Sequence, residues 1–241
     1  MISIITPAFN EEKIIAETLA KFRGQFTAVP YELIISDDAS TDATAKLAAP
    51  YADQVVLCPP GKHTTIGAAR NRGAAVAKGE ILAFVDSGVT IPDPNQFFQT
   101  VLDNFRSNSS LLGMTVKLRI DPAVATNTDN FFYGLIDLWV RFNVNFLHWG
   151  YTYGKFQAVR ADAFRKIGGF REPLVAAEDS DLFHRLSQIG RTRWDPRLVV
   201  YHAGRREHAW GWPRILLVWT VNGLAMAIFK KSVTKEWRQV R

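Results

Sequence analysis

Ile2-Ser3-Ile4-Ile5-Thr6-Pro7-Ala8-Phe9, Tyr31-Glu32-Leu33-Ile34-Ile35-Ser36 and Ile81-Leu82-Ala83-Phe84-Val85 are short apolar runs rich in β-branched residues. Each stops at polar side chains: Asn10, Asp37-Asp38 and Asp86. Their length and turn-forming borders read as strands. Between them, Ile14, Ile15, Leu19 and Phe22 recur at helical spacing over Glu11–Phe22, and Ser40 or Thr41 is placed to cap a helix running to Ala52. Gln54–Cys58 reads as a further strand and Ile66–Ala77 as a further helix. This βαβαβαβ order predicts a largely parallel sheet covered by helices. Ligands of such sheets bind outside the carboxyl ends of the strands, so Asn10, Asp37, Asp38 and Asp86 fall along one edge. Several carboxylates in one crevice repel and are poorly solvated unless a cation or a ligand's hydroxyl and N–H groups satisfy them. Asp38 and Asp86 therefore read as ligand-binding, whereas Asp37 and Asp42 read equally well as turn and cap residues.

The composition fits a globular chain. Its 241 residues are 47% hydrophobic and 22% charged, enough for one large domain or a domain with an appendage. The single cysteine, Cys58, excludes an intrachain disulfide or a cysteine zinc cluster and is in keeping with a reducing compartment. Met1–Pro7 lacks a charged leader region and reads as a strand, not a signal peptide. The net charge of +6 is unevenly spread. From Arg191 onward eleven Lys and Arg, including Arg238 and Arg241, stand against Asp195, Glu207 and Glu236, which leaves the first 190 residues net acidic. A basic C-terminal end suits an anionic partner such as a diphosphate or a lipid surface. The strand-end acids and the lack of any RRM, KH or helix-turn-helix pattern argue against nucleic acid.

A dinucleotide site is disfavoured. Pro7-Ala8-Phe9-Asn10-Glu11-Glu12 after the first strand contains no glycine, and there is no Walker A loop. The glycine-bearing helix start Gly67-Ala68-Ala69-Arg70-Asn71-Arg72-Gly73 carries two arginines suited to a pyrophosphate or a carboxylate.

Taken in order, Pro7–Glu12, Ser36-Asp37-Asp38-Ala39-Ser40-Thr41-Asp42-Ala43-Thr44, Gly67–Gly73, Lys78-Gly79-Glu80-Ile81-Leu82-Ala83-Phe84-Val85-Asp86, Arg165-Lys166-Ile167-Gly168-Gly169-Phe170 and Ala177-Glu178-Asp179-Ser180-Asp181-Leu182 resemble the family 2 glycosyltransferases of GT-A fold. The resemblance runs from Met1 to about His202 and implies a mostly parallel central sheet flanked by helices, with residues 1–212 as the catalytic domain. It implies that Pro7, Asn10 and Glu11 line a nucleotide pocket, that Asp38 meets the base, commonly uracil, and that Arg70 faces the diphosphate. It places Asp86 at the ribose and metal, His202 near the diphosphate or metal, Asp179 as the base that deprotonates the acceptor, and Glu178 beside it positioning sugar or acceptor. The implied activity is inverting transfer of one hexose-type sugar from a nucleotide-diphosphate sugar, UDP-sugars foremost, to an acceptor hydroxyl or phosphate on a lipid or glycan. Mg²⁺ or Mn²⁺ is the implied cofactor, and the cytoplasm or the cytoplasmic face of a membrane the implied location. Glu178 and Asp181 would tend to raise the Asp179 pKa, while the same acids also suit a helix N-terminus.

One departure bears on the metal. The family usually carries Asp-x-Asp where this chain reads Asp86-Ser87-Gly88. A cation would then rest on Asp86, the diphosphate, water and His202; alternatively Arg70, Arg205 or Arg206 neutralises the leaving group, or the chain only binds a nucleotide sugar. The absence of a Gln-x-x-Arg-Trp segment after the acidic helix argues for single transfers.

The remainder is helical and apolar. Phe131, Leu135, Leu138, Phe142 and Trp149 form a helical stripe in Phe131–Trp149, either core or a lipid or acceptor surface, with Asp137 and Arg141 spaced to pair. Gly154–Val159 reads as a strand beside the acceptor. In the tail, 213–241, Ile215–Phe229 is a 15-residue apolar run between Arg214 and Lys230-Lys231. It is shorter than the ~20 residues of a membrane span, and reads as a helix lying on a membrane surface or packing on protein.

Overall fold

The computed structural model describes residues 1–25, 29–59, 61 and 64–235. Arg238, Arg241 and Glu236 of the basic tail lie outside the described residues. The strands are β1 (Ile2–Ala8), β2 (Tyr31–Asp37), β3 (Gln54–Leu57), β4 (Ile81–Val85), β5 (Val89–Thr90), β6 (Leu111–Ile120), β7 (Phe156–Arg160) and β8 (Arg191–His202). They form one sheet in the order β3-β2-β1-β4-β7-β6-β8-β5. The pairs β1/β2, β1/β4, β2/β3 and β6/β8 are parallel. The pairs β4/β7, β6/β7 and β5/β8 are antiparallel. The sheet is therefore parallel across its first four strands and mixed beyond.

The helices are α1 (Ile15–Gln25), α2 (Thr44–Ala48), α3 (Ile66–Val76), α4 (Pro94–Ser107), α5 (Asn127–Arg141), α6 (Ala161–Lys166), α7 (Glu178–Ser187), α8 (Arg205–Trp210) and α9 (Trp212–Phe229). Both sheet faces are covered. Ile2 and Ile4 of β1 pack with Ile15 and Leu19 of α1 and Phe97 and Phe98 of α4. Ile5 faces the other way, among Ala74 of α3, Phe164 of α6 and Leu182 and Phe183 of α7. Burial on both faces explains why β4 reads as an unbroken apolar run and why β1 shows no solvent-facing alternation.

Several boundaries differ from expectation for local reasons. The α2 helix is short because Ser40 accepts from the Asn10 N–H, Asn10 Oδ1 accepts from the Thr41 N–H, and Asp42 accepts from the Thr44 N–H. The polar side chains before it thus clasp the β1 loop, and the helix starts only at Thr44, after Ala43. Asp137 does not pair with Arg141. It is buried against β6 and pairs with Arg119, with Lys117 at 4.0 Å. The aromatic stretch splits into α5 and a π-helical turn at Phe142–Phe146. Tyr133 and Val140 are buried, whereas Phe131, Leu135, Leu138, Trp139, Phe142, Phe146 and Trp149 are exposed.

The apolar tail is an 18-residue helix, α9, held at its start. Trp212 is buried, stacks on Phe132 with ring centroids 4.9 Å apart, and donates its Nε1–H to Asp129 at 2.7 Å. Asp129 also closes the α5 capping box with Thr126 and lies 3.0 Å from His208 Nε2. Beyond the helix, Ser232 Oγ accepts from the Val175 and Ala176 N–H groups, joining the tail to the segment that precedes α7.

These contacts hold the Asp129 carboxyl at about 2, its hydrogen bonds to His208, Thr126 and Trp212 outweighing burial. Because the pKa is depressed, its contribution is present above the ordinary carboxyl range and is lost as pH falls toward 2. Asp129→Ala should destabilise the chain by about 2–4 kcal/mol in urea unfolding at pH 7, through loss of the cap and a buried indole N–H left unpaired.

Candidate active site

The sheet topology brings distant residues to one edge. Ala8 is in register with Asp37, so Asn10 and Asp38 leave adjacent strand ends. Asp86 follows β4, the strand on the other side of β1. Because β7 runs antiparallel to β4, its beginning lies at the end of β4. The Asp86 N–H donates to the Lys155 carbonyl at 3.3 Å, and Lys155 Nζ lies 3.2 Å from Asp86 Oδ2. Likewise β5, three residues past Asp86, pairs antiparallel with the end of β8, setting Val89 opposite His202 and bringing the first residues of α8 to the same edge.

Arg70 lies at the centre. Its guanidinium is 1% exposed. It donates to Asp86 Oδ1 and to Glu178 Oε1, both at 2.9 Å, and to the Gly154 carbonyl at 2.6 Å, and it lies 5.3 Å from the Phe170 ring centroid. Arg70, expected to face the diphosphate, thus bonds to two carboxylates and a carbonyl within the site. Glycines permit the convergence. A Cβ on Gly67 would lie 3.3 Å from Phe170 and 3.6 Å from Glu178; one on Gly154 would lie 3.1 Å from Asp179 and 3.3 Å from Arg70. Asn71 holds the preceding turn, donating to the Phe170 carbonyl and accepting from its N–H.

Glu178 and Asp179 open α7, whose N-cap Ala177 has a left-handed φ of 63°. Asn10 and Ala39 are also left-handed, at 52° and 65°. Non-glycine residues in this region carry strain of order 1–3 kcal/mol, and such residues cluster at functional sites. Glu178 pairs directly with Arg70; among the described residues Asp179 accepts from the Ser180 N–H alone. Burial first, then the Glu178 charge, push the Asp179 carboxyl up to about 8. The side chain of Asp181 is paired elsewhere, with Arg171 at 2.7 Å and Arg185 at 2.8 Å, and Arg185 continues to the Ile167 and Gly169 carbonyls. The second carboxylate acting on Asp179 is Asp86. Tyr151, raised to about 12 by burial and by Asp179, lies on the same side.

Asp38 sits apart from this cluster. It accepts from Thr64 through both its N–H and its hydroxyl and pairs with Arg72. Pro7 pairs with Ser36 within the sheet. The Glu11 N–H donates to Thr44 Oγ1.

His202 is buried and hydrogen-bonded at both ring nitrogens. The Gly204 N–H donates to Nδ1, which places the ring proton on Nε2 against Tyr133 Oη at 2.8 Å; the Tyr133 hydroxyl donates on to Glu207. Burial and the Lys155 charge lower the His202 pKa to about 3, so the ring is neutral.

This donor set does not suit a resident divalent cation. Such a cation takes carboxylate oxygens and unprotonated ring nitrogens. One Asp86 oxygen faces Arg70 and the other Lys155, both His202 nitrogens are engaged, and Gly88 has no side chain to offer. No group of three or more His, Cys, Asp or Glu among the described residues is arranged to hold a metal ion. Asp86 and His202, expected as metal ligands, are engaged here with Arg70 and Lys155 and with Gly204 and Tyr133 respectively. Lys155 was missed as a site residue; its one signal was its place at the start of the strand expected beside the acceptor.

Known structures share this fold. The mannosyltransferase PcManGT from Pyrobaculum calidifontis, solved in complex with GDP-Man and Mn²⁺, matches with a TM-score of 0.72 at 22% identity, covering 95% of this chain and 64% of that one. The architecture is the GT-A fold. Residues 3–168 match Glycosyl transferase family 2, and the chain belongs to that family. Among curated relatives, the validoxylamine A glucosyltransferase of Streptomyces hygroscopicus subsp. jinggangensis (strain 5008) is 33% identical over 106 residues, 42% of this chain and 25% of the relative. The O-antigen chain rhamnosyltransferase WbaN of Salmonella anatum is 26% identical over 170 residues, 68% of this chain and 53% of the relative. The matched segments thus span a quarter to about half of the length of these relatives.

The raised Asp179 pKa has a consequence for stability. Between the ordinary carboxyl range and about 8 the folded chain holds a proton that the unfolded chain has released, so stability falls as pH rises through this window. Asp179→Asn should therefore raise Tm by about 2–4 °C per kcal/mol recovered at pH 8, and have little effect near pH 4. Melting curves of both proteins across that range provide the check.

Proposed function

We propose that the chain is an inverting glycosyltransferase that moves one sugar from a nucleoside-diphosphate sugar to an acceptor hydroxyl or phosphate. The observation that carries this reading is a buried carboxyl, Asp179, held near 8 beside a strand-end crevice furnished with Asp86 and several cations. A general base is most effective when its pKa lies near the working pH. In the reaction, the acceptor oxygen bonds to the anomeric carbon and its proton passes to Asp179. The anomeric carbon–oxygen bond to the diphosphate breaks, and its electron pair leaves with the nucleoside diphosphate. Glu178, fixed by Arg70, positions the sugar or acceptor, and Asp86 contacts the donor ribose. Asn10, Glu11, Pro7 and Asp38 line the nucleoside side, where Asp38 must exchange Thr64 or Arg72 for the base. UDP-sugars are the first donors to test, GDP-sugars the second.

Nucleotide release in a donor and acceptor screen tests this reading. Asp179→Asn should lower turnover by about 10²-fold or more. The wild-type kcat/KM should rise with pH as Asp179 loses its proton, on a limb centred near the about-8 value. Equal turnover in both proteins removes Asp179 as the base. Donor binding without turnover favours the alternative, a non-catalytic nucleotide-sugar-binding protein.

A lipid-linked acceptor at the cytoplasmic membrane face is part of the same reading. It is supported by the exposed Leu138, Trp139, Phe142 and Phe146 on α5 and its extension, and by exposed Leu217, Leu224, Ile228 and Phe229 on α9 next to Arg214, Lys230 and Lys231. Helix α9 is 18 residues long with a mean hydropathy of 1.4. An apolar face with basic flanks suits an anionic bilayer surface. The wild-type protein should float with phosphatidylglycerol-containing vesicles, and Leu217→Glu with Leu224→Glu should leave it in the soluble fraction.

A further inference from the structure

Resting on the glycosyl-transfer reading, we propose that this chain neutralises its leaving diphosphate with its own cations, Lys155 and Arg205, and binds its nucleotide without a divalent metal. The place where the family's second acid would project carries an arginine instead. A Cβ built on Gly88 would lie 3.3 Å from a guanidinium nitrogen of Arg205, so a longer side chain there must displace that group. Gly88 is not in the left-handed region, and backbone conformation does not demand glycine at this position. What the missing side chain provides is room for a cation.

The register of the sheet explains how these cations arrive. Antiparallel β7 sets Lys155 beside Asp86, and the β5/β8 pair sets the start of α8 beside the loop after Asp86. The Lys155 side chain is 36% exposed, against 16% for Asp86 and 1% for Arg70, so Lys155 is the member of that trio most open to an incoming ligand. Arg205 is exposed as well. Arg206, next to it, stacks over Trp210 and is turned inward beside Glu207.

The charges agree. Arg70 and Lys155 balance Asp86 and Glu178, Glu207 offsets Arg206, and Asp179 is protonated at neutral pH. Arg205 leaves the crevice net positive. When a diphosphate enters, Lys155 can turn to it while Asp86 keeps its bond to Arg70. Cationic side chains fixed where charge develops stabilise a departing anion as a metal does.

Calorimetric titration of UDP and GDP into the purified protein, once with EDTA and once with Mn²⁺, tests the proposal. One of the two nucleotides should bind in EDTA with a Kd within about threefold of its value in Mn²⁺. The double variant Lys155→Met with Arg205→Met should lose about tenfold or more in EDTA, as expected for removal of charge-assisted hydrogen bonds. Gly88→Asp, in a surface loop, should lose a similar factor in EDTA by pairing with Arg205 and should recover affinity with Mn²⁺; its melting curve confirms that it folds. Binding that appears only with Mn²⁺, or an unchanged Kd in the double variant, overturns the proposal and leaves glycosyl transfer standing. No binding of either nucleotide under either condition overturns both.

Discussion

The buried guanidinium of Arg70 joins four parts of the chain at the crevice: α3, which carries it, the end of β4, the entry to β7 and the start of α7. A charge so far from water is tolerated only with opposite charges and acceptors at bonding distance. Asp86, Glu178 and the Gly154 carbonyl supply them, and these carboxylates are tolerated at a crowded strand edge because the guanidinium is there. The arrangement is reciprocal, and losing any one partner leaves another buried charge unmatched. It also fixes the state of the residue left out. Among the described residues Asp179 shares the low-dielectric surroundings without a direct ion pair, so the proton settles on it.

Much of the fold was legible because its strands are buried on both faces. Ile81–Val85 reads to the residue, since an uninterrupted apolar run flanked by Gly79 and Asp86 has few alternatives. Strand direction was less accessible. An apolar run does not say which way it is threaded, so the antiparallel insertion of β7 between β4 and β6 could not be read from pattern. The strand-end acids were placed correctly at one edge because parallel topology alone dictates that. Their partners were not, because Asp86 and Lys155 lie 69 positions apart and meet only through the β4/β7 register.

Local pairing rules failed in an instructive way. Asp137 and Arg141 have ideal helical spacing, yet Asp137 faces the sheet and Arg141 faces solvent. A surface pair contributes only a few tenths of a kcal/mol, whereas a buried carboxylate must be matched where it lies, so Arg119 prevails. The same logic applies to Asp181, whose proximity to Asp179 in sequence suggested mutual repulsion. Two arginines neutralise it, and the repulsion on Asp179 comes from Glu178 and from the distant Asp86.

The two ends of the crevice thus follow opposite electrostatic designs within one bonded network. Around Asp179 there is burial, two like charges and a guanidinium already committed to others, which favours uptake of a proton. Around Asp86 there are cations on several sides, which hold that carboxyl ionised and below its ordinary range despite burial. A reaction that delivers a proton to the first end while negative charge leaves at the second runs down both gradients. Arg70 lies between them and bonds to carboxylates of both ends, so the site needs no movement of that residue to serve both. The charges open to solvent lie at the Asp86 end, and the buried one lies beside Glu178, where its displacement would unmatch that carboxylate.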